Sequence, residues 1–224
     1  MSLTMGNQRH ASLAGVIAAF FVAVGLIVYG GYGLWQWWQS THNPQPAMPA
    51  EIVSVSTDTP DETPPVDSCD ALGSSGSQPQ KIRIDAIGVD GCVQRVGVDQ
   101  HKAIAVPTNI HFAGWYINSP TPGEEGVSLI DGHVLGRYND AIFARLGESK
   151  PGDVVEITRA DDAVRQFKIV DIRTFTVEEA NRHLFEKIEA TDSQLNLITC
   201  TGTYSSTANT YDKRIIVRAA LIHP

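Results

Sequence analysis

Positive charge is scarce in this sequence. Its 224 residues contain 17 Lys and Arg against 25 Asp and Glu, which gives a net charge of −8. Proteins that bind nucleic acid need a basic stripe or patch, so this balance argues against a nucleic-acid partner. The length allows one domain of ordinary size with extensions.

Cysteine is also rare, with three in the chain. An odd number leaves at least one unpaired, and we assign that position to Cys200. It ends the stretch LNLITC, Leu195 to Cys200, in which apolar and β-branched residues predominate. This composition predicts a short buried strand that ends on a cysteine at the mouth of a cleft. The alternative is an inert core thiol, since free cysteine is among the most buried residue types.

Residues 11–39 contain no charged side chain. A helix needs about 20 apolar residues to span a bilayer, and this run is longer. Tryptophans cluster between residues 35 and 38, and indoles favour the headgroup region. Arg9 is the only Lys or Arg close to the run, so the positive-inside rule places residues 1–10 in the cytoplasm. A cleaved signal peptide is the alternative, but its apolar region is shorter, about 7–15 residues. We predict a retained single-pass anchor.

Lysine and arginine are also missing from residues 40–80, which are rich in proline and contain several acidic residues. Such a segment cannot bury enough apolar surface to fold. We predict a flexible linker that holds a folded domain, residues 81–224, above the membrane. A spacer without a required length explains the same composition.

From Lys81 onward, short apolar or alternating segments recur between turn-rich stretches, and each predicts a strand. The main ones are two strands around a turn at Asp90-Gly91, then Val127–Ile130, Val164–Phe175 and Arg214–Ile222. Many short strands with few helices indicate an all-β barrel or sandwich.

Two segments predict short helices. Residues 139–146 would pack three apolar side chains, and Thr176 with Glu179 forms a capping-box pattern that begins a helix of about ten residues. A polar loop is predicted from Thr201 to Asp212, after the cysteine strand.

Three short motifs stand in a characteristic order. Gly132-His133 follows a predicted strand, Thr199-Cys200 ends another, and Arg214 opens the last. This pattern resembles that of the sortases, the membrane-bound cysteine transpeptidases of Gram-positive bacteria. The resemblance covers roughly residues 81–223.

The resemblance implies a closed eight-stranded β-barrel with one or two short helices, preceded by a transmembrane helix. It implies that Cys200 attacks the threonine carbonyl of a C-terminal sorting signal, of the Leu-Pro-x-Thr-Gly type, and that a cell-wall amine resolves the thioester. His133 is implied as general acid and then general base, and Arg214 as a donor to the oxyanion. We expect Ile198 and Thr199 to contact the substrate.

Two other cations could take the role implied for Arg214. They are Lys213 and Arg218, although the phasing of DKRIIVRA against the family pattern favours Arg214. The resemblance implies no acidic residue that orients His133, so Asp131 is not expected to complete a triad of the papain type.

Cys69 and Cys92 flank the end of the linker and the first strands. Outside the cell they either form a disulfide or remain two inert thiols, and the sequence leaves both open. Scattered acidic residues are usually solvated, so we predict no metal and no cofactor. The calcium site of some sortases would need four glutamates here, Glu124, Glu125, Glu178 and Glu179.

The proline-rich linker, HVLGRYNDAIFARL and ITCTGTY look most like the actinobacterial class F sortases, with class E as the near alternative. Implied partners are surface proteins with a sorting signal, a peptidoglycan or precursor amine, and the membrane, with the catalytic domain outside the cell and monomeric. Two other functions remain: a membrane-anchored cysteine peptidase that only hydrolyses, and a non-enzymatic surface binding module with Cys200 in its core.

Overall fold

The computed structural model describes residues 30–31, 60–64, 69–99, 103–189 and 191–222. The chain divides into two units, Met1–Ala47 and Met48–Pro224. Of the first unit only Gly30 and Gly31 are described, and both are helical. The predicted anchor at 11–39 otherwise lies outside the described residues, among which no helix has the length and apolar character to cross a membrane.

Eight strands of the second unit close into a β-barrel, which confirms the all-β barrel expected from the sequence. The strands are β1 (Pro79–Ile84), β2 (Val89–Val96), β3 (Ala113–Tyr116), β4 (Gly126–Gly132), β5 (Val154–Arg159), β6 (Val164–Thr176), β7 (Ser193–Ser205) and β8 (Thr210–Leu221). Their order around the barrel is β1-β2-β3-β4-β7-β8-β6-β5, and β5 pairs back with β1. The pairs β2–β3 and β4–β7 are parallel.

Alternation along the strands produces the core. In β1, Ile82 and Ile84 are fully buried while Arg83 between them is exposed, as expected of a strand with one face toward the barrel interior. Leu195 and Leu197 of β7 join the same core cluster. The period of two therefore places Ile198 and Cys200 on the opposite, outer face of β7.

The first turn differs from the sequence prediction. A 3-10 segment, Asp85–Ile87, joins β1 to β2, and Gly88 ends it with a φ of 70°, a conformation that favours glycine. The predicted turn at Asp90-Gly91 is wrong, since both residues lie inside β2. Gly91 serves close packing instead, because a Cβ there would lie 2.6 Å from the Ile142 side chain.

Residues 139–146 do not form the predicted helix. They form turns followed by a 3-10 segment, Leu146–Glu148. The backbone N–H of Ile142 donates to the Ile110 carbonyl and that of Phe143 donates to the His133 carbonyl. Since these amides bond to distant segments, the i to i−4 bonds of an α-helix cannot form. The apolar pattern was still informative, because Phe143 and Leu146 are fully buried.

The capping box at Thr176 and Glu179 is confirmed, with both reciprocal bonds present. The helix that it begins, α1 (Val177–His183), has seven residues rather than the predicted ten or so.

The predicted end of β7 at Cys200 is wrong. β7 continues to Ser205 and β8 begins at Thr210, so most of the expected polar loop pairs as a hairpin. The ladder is irregular between Thr201 and Tyr204, where Gly202 adopts a φ of 89°. This part of the hairpin extends beyond the core and is largely exposed, so its residues are polar and show no apolar alternation.

Parts of the predicted linker pack on the barrel. Asp61 forms a parallel bridge with Asn109, and Cys69–Leu72 is a 3-10 segment in contact with β1 and β2. We assigned these residues to the linker because of their proline and acid content. Backbone hydrogen bonds hold Asp61 against the barrel, and a disulfide to Cys92 holds Cys69.

Candidate active site

Two parallel neighbours, β4 and β7, place the predicted histidine and cysteine beside each other. The strands pair in register up to two residues before His133 and Cys200. The Thr199 hydroxyl then donates to the Gly132 carbonyl oxygen across 2.8 Å. This bond joins the residues that directly precede the two functional residues, and so fixes the end of β4 relative to the middle of β7.

Cys200 is a free, half-buried thiol on β7, and its antiparallel partner on β8 is Arg214. Burial raises the pKa of the Cys200 thiol, the charge of Arg214 acts in the opposite direction, and Asp131 adds to the rise. The net shift is upward from a value already above neutral. The resting thiol is therefore protonated and needs a base to become a nucleophile.

His133 follows the last residue of β4 and is half-buried. Its ring Nε2 lies 2.9 Å from the Pro107 carbonyl oxygen. Because a carbonyl oxygen only accepts, Nε2 carries the hydrogen, and Nδ1 of the neutral ring remains an acceptor. Burial lowers the pKa of His133, while the bond to Pro107 opposes this. The imidazole is thus neutral at pH 7 and able to take a proton.

Arg214 is held by the hairpin that carries it. Its Nη1 donates to the carbonyl oxygens of Tyr211 and Lys213, at 2.9 and 2.8 Å, and its Nη2 donates to the Thr210 hydroxyl at 3.0 Å. These bonds use three of the five guanidinium N–H groups. The other two N–H groups have no partner among the described residues, and the plane of the group is fixed.

Asp131 is a buried carboxyl two residues before His133. Its Oδ1 has no hydrogen-bond partner within the described part of the chain. Burial raises the pKa of Asp131 well above its usual range, since an isolated carboxylate is costly in such a site. The His133 ring bonds to Pro107 and not to Asp131.

A cleft of about 570 Å³ contains Cys200 and Arg214, a volume typical of ligand sites. Its other lining residues are Ala103, Ile104, Val106, Leu129, Asp131, Gly132, Val177, Ala180, Asn181, Leu184, Ile198 and Thr199. Residues of β4, β7 and α1 contribute to the lining, and most of the lining side chains are apolar.

The structure thus brings most of the predicted site residues together. Ile198, Thr199, Cys200 and Arg214 line one cleft, and His133 directly follows a lining residue. Arg218 lies elsewhere: its Nη1 donates to Glu186 at 3.2 Å and its Nη2 pairs with Asp171.

Cys69 and Cys92 are joined in a disulfide, with their Cα atoms 5.3 Å apart. It ties the segment before β1 to β2. The four glutamates considered as calcium ligands form no metal-binding group, and neither does any other set of His, Cys, Asp or Glu among the described residues.

Sequence reasoning missed the groups that support His133. The Pro107 carbonyl lies 26 positions away in the sequence, and backbone acceptors have no signature in the residue types. The cleft residues Ala103, Ile104 and Val106 belong to a short apolar segment that carries no functional signature in the sequence. The helix wall could have been found, since the capping box located α1 and Ala180 is its buried residue.

Comparison with solved structures found several sortases. A solved structure of sortase A from Corynebacterium diphtheriae, a lid mutant, is 23% identical over 65% of this chain and 70% of that chain, with a TM-score of 0.50. A Clostridium perfringens sortase D5 transpeptidase is 22% identical, covering 65% and 79%, with a TM-score of 0.47. Sortase C-1 from Actinomyces oris is 21% identical, covering 65% and 73%, with a TM-score of 0.48.

A search of curated protein sequences found no significant match. The family model described as the sortase domain matches residues 82–222, more than half of the chain. The chain therefore belongs to the sortase family of cysteine transpeptidases.

Proposed function

We propose that this sortase cleaves a C-terminal sorting signal of the Leu-Pro-x-Thr-Gly type and transfers the new carboxyl end to a cell-wall amine. One observation carries the proposal. The free Cys200 lines a largely apolar cleft, His133 directly follows the neighbouring strand β4, and Arg214 is the partner of Cys200 on β8.

The nucleophile forms by proton transfer within the site. Burial raises the pKa of Cys200 and lowers that of His133, so the resting pair is a neutral thiol and a neutral imidazole. Pro107 holds Nε2–H, which leaves Nδ1 to take the Cys200 proton as the sulfur attacks. The S–C bond forms and the carbonyl electron pair moves to oxygen.

The same histidine completes both half-reactions. The His133 imidazolium donates its proton to the amide nitrogen as the C–N bond breaks, which leaves a thioester on Cys200. An incoming amine then loses a proton to His133 as its nitrogen attacks the thioester. The C–S bond breaks, and the sulfur recovers the proton. Water in place of the amine gives hydrolysis, the peptidase alternative.

Arg214 stabilises the oxyanion in this proposal. Three N–H groups anchor the guanidinium to the hairpin and two remain for the substrate. Donors that are fixed before the charge develops need no reorganisation during the reaction.

The cleft favours an apolar, extended peptide. Ile198 and the walls from residues 103–106 and α1 suit the leucine and proline of the signal. Thr199 lines the cleft as well, and its hydroxyl proton is donated to Gly132. We therefore expect Thr199 to contact the substrate without donating a hydroxyl proton to it.

The cellular setting belongs to the same proposal. Residues 11–39 anchor the protein as a single-pass segment with residues 1–10 inside, and the catalytic domain acts outside a Gram-positive, actinobacterial cell as a class F enzyme. The disulfide between Cys69 and Cys92 suits an oxidising exterior. Recovery of a mature form that begins after Ser40 in the culture medium, as the main species, would contradict a retained anchor.

The test is incubation of the full chain in detergent with a Leu-Pro-x-Thr-Gly peptide and an amine acceptor, followed by mass spectrometry. We expect the amine-ligated product, and none from Cys200→Ala with an intact fold. A product formed only with water supports the peptidase. Absence of any product together with a native thiol that resists alkylation supports the binding module.

A further inference from the structure

A five-residue segment before the barrel, Pro60–Pro64, lies along the loop that leads into β3. We call it the strap. The backbone N–H of Asp61 donates to the Thr108 carbonyl at 2.8 Å, and the N–H of Ile110 donates to the Asp61 carbonyl at 2.9 Å. The strap is outside residues 82–222, which the sortase family model matches.

Side chains of the barrel loop strengthen this pairing. Asn109 is buried, and its Nδ2 donates to the Thr63 carbonyl at 2.9 Å. His111 Nε2 lies 3.1 Å from the Glu62 carbonyl oxygen, and must donate because that oxygen only accepts. Four hydrogen bonds thus hold the strap to one side of a single loop.

The Glu62 carboxylate reaches a second loop, the one that follows His133. It accepts hydrogen bonds from the backbone N–H groups of Arg137 and Tyr138 and from Asn139 Nδ2, the last at 2.8 Å. A Cβ on Gly136 would lie 2.7 Å from Glu62 Oε1, so glycine there permits the close approach. One carboxylate therefore satisfies three donors of a loop that starts at the proposed catalytic histidine.

Both loops held by the strap determine where the His133 ring lies. Pro107, whose carbonyl accepts from His133 Nε2, is next to Thr108, which bonds to the strap. The loop held by Glu62 returns to the histidine, because the Phe143 N–H donates to the His133 carbonyl at 3.0 Å.

We infer that Glu62 is a positioning residue for His133, acting through the two loops that the strap holds. This inference rests on the proposed catalytic role of His133. A displacement of about 1 Å at a reacting group can cost about a hundredfold in rate. Loss of the carboxylate frees only one of the two loops, so we expect a smaller effect.

The test compares full-chain variants at one position. Glu62→Ala removes all three acceptor contacts, and Glu62→Asp keeps the charge on a shorter side chain. Glu62→Gln keeps one acceptor oxygen for part of the loop and replaces the other with an NH2 group, which cannot accept. Glu189→Ala is the matched control, because Glu189 is an exposed carboxylate without a hydrogen bond to the described residues. Transfer kinetics are measured beside the ¹H–¹⁵N signal of the His133 Nε2–H, assigned by its loss in His133→Asn.

We expect Glu62→Ala to lower kcat roughly tenfold or more while KM changes less than about twofold, and Glu62→Gln to lower kcat by a smaller factor. The Nε2–H signal should broaden most in Glu62→Ala, and Glu62→Asp should keep more of kcat than Glu62→Ala does. The inference is overturned if kcat of Glu62→Ala, per folded enzyme, equals that of Glu189→Ala, even where Glu62→Ala has a lower melting temperature. If His133→Asn itself keeps full transfer, the proposed function fails instead, so the two failures are distinguishable.

Discussion

Replacement of Arg214 by lysine separates two roles of the guanidinium, charge and direction. The positive charge of Arg214 opposes the effect of burial on the pKa of Cys200, and a lysine ammonium would retain this effect. Direction depends on the three bonds to Tyr211, Lys213 and Thr210, which orient the two remaining N–H groups. Lysine has three donors on a rotating head and cannot supply both sets.

The magnitude follows from the number of donors lost. Removal of one donor to an oxyanion typically costs about 2.7–4 kcal/mol of transition-state stabilisation, a hundred- to a thousandfold in rate. We therefore expect Arg214→Lys to lose transpeptidation by roughly that factor. Alkylation of Cys200 by a small haloacetamide involves no oxyanion and depends on the thiolate, so that rate should change by only a few-fold.

Arg218→Lys is the matched control. Arg218 is on the same strand but is paired with Asp171 and Glu186, so its replacement by another cation should leave transfer close to wild type. Both variants are assayed for ligated product by mass spectrometry and for alkylation on the same preparation. Near-normal transfer by Arg214→Lys, or collapse of Arg218→Lys, would refute the assignment.

Three further predictions concern other parts of the domain. His133→Asn should abolish both thioester formation and its resolution. The His183 ring stacks against Phe175 at the end of α1, so His183→Ala should keep most activity. Equal losses of the two variants in single-turnover assays would mean that His133 is not the catalytic histidine. Asp131→Asn should raise the melting temperature at pH 8 but not at pH 4, because a raised carboxyl pKa in the folded state costs stability as pH rises above the unfolded value; a uniform gain would contradict this. Reduction of the disulfide, whose cysteines are 23 positions apart, should lower unfolding free energy by about 3 kcal/mol in denaturant titrations, and no change would exclude a stabilising role.

The strands were predictable where one face meets the core and the other meets water. In β1, β5 and β6 the alternation of apolar and charged residues follows the period of a half-buried strand. The capping box located the start of α1 for a similar reason, since its signal is contained within four residues. Local physics was sufficient in these segments.

Prediction failed where distant backbone groups decide the conformation. Residues 139–146 have an apolar spacing that suits a helix, but Ile142 and Phe143 donate to carbonyls of Ile110 and His133. The hairpin beyond Cys200 is stabilised by a pair of tyrosine rings, Tyr204 and Tyr211, with centroids 5.4 Å apart. Such contacts leave no periodic pattern in the sequence.

In the candidate site, too, residues within short motifs could be predicted from the sequence, and residues brought in by the fold could not. Cys200, His133 and Arg214 could be named because each stands at a strand position with a recognisable neighbour. Glu62 could not, because its carboxylate bonds to Arg137, 75 positions later, and its proline-rich, acidic surroundings indicate a linker. In the proposed mechanism a neutral thiol and a neutral imidazole react, so the rate depends on the orientation of the His133 ring. The Pro107 carbonyl that bonds to this ring and the Glu62 carboxylate both lie outside the motifs, and their contacts are apparent only in the folded chain.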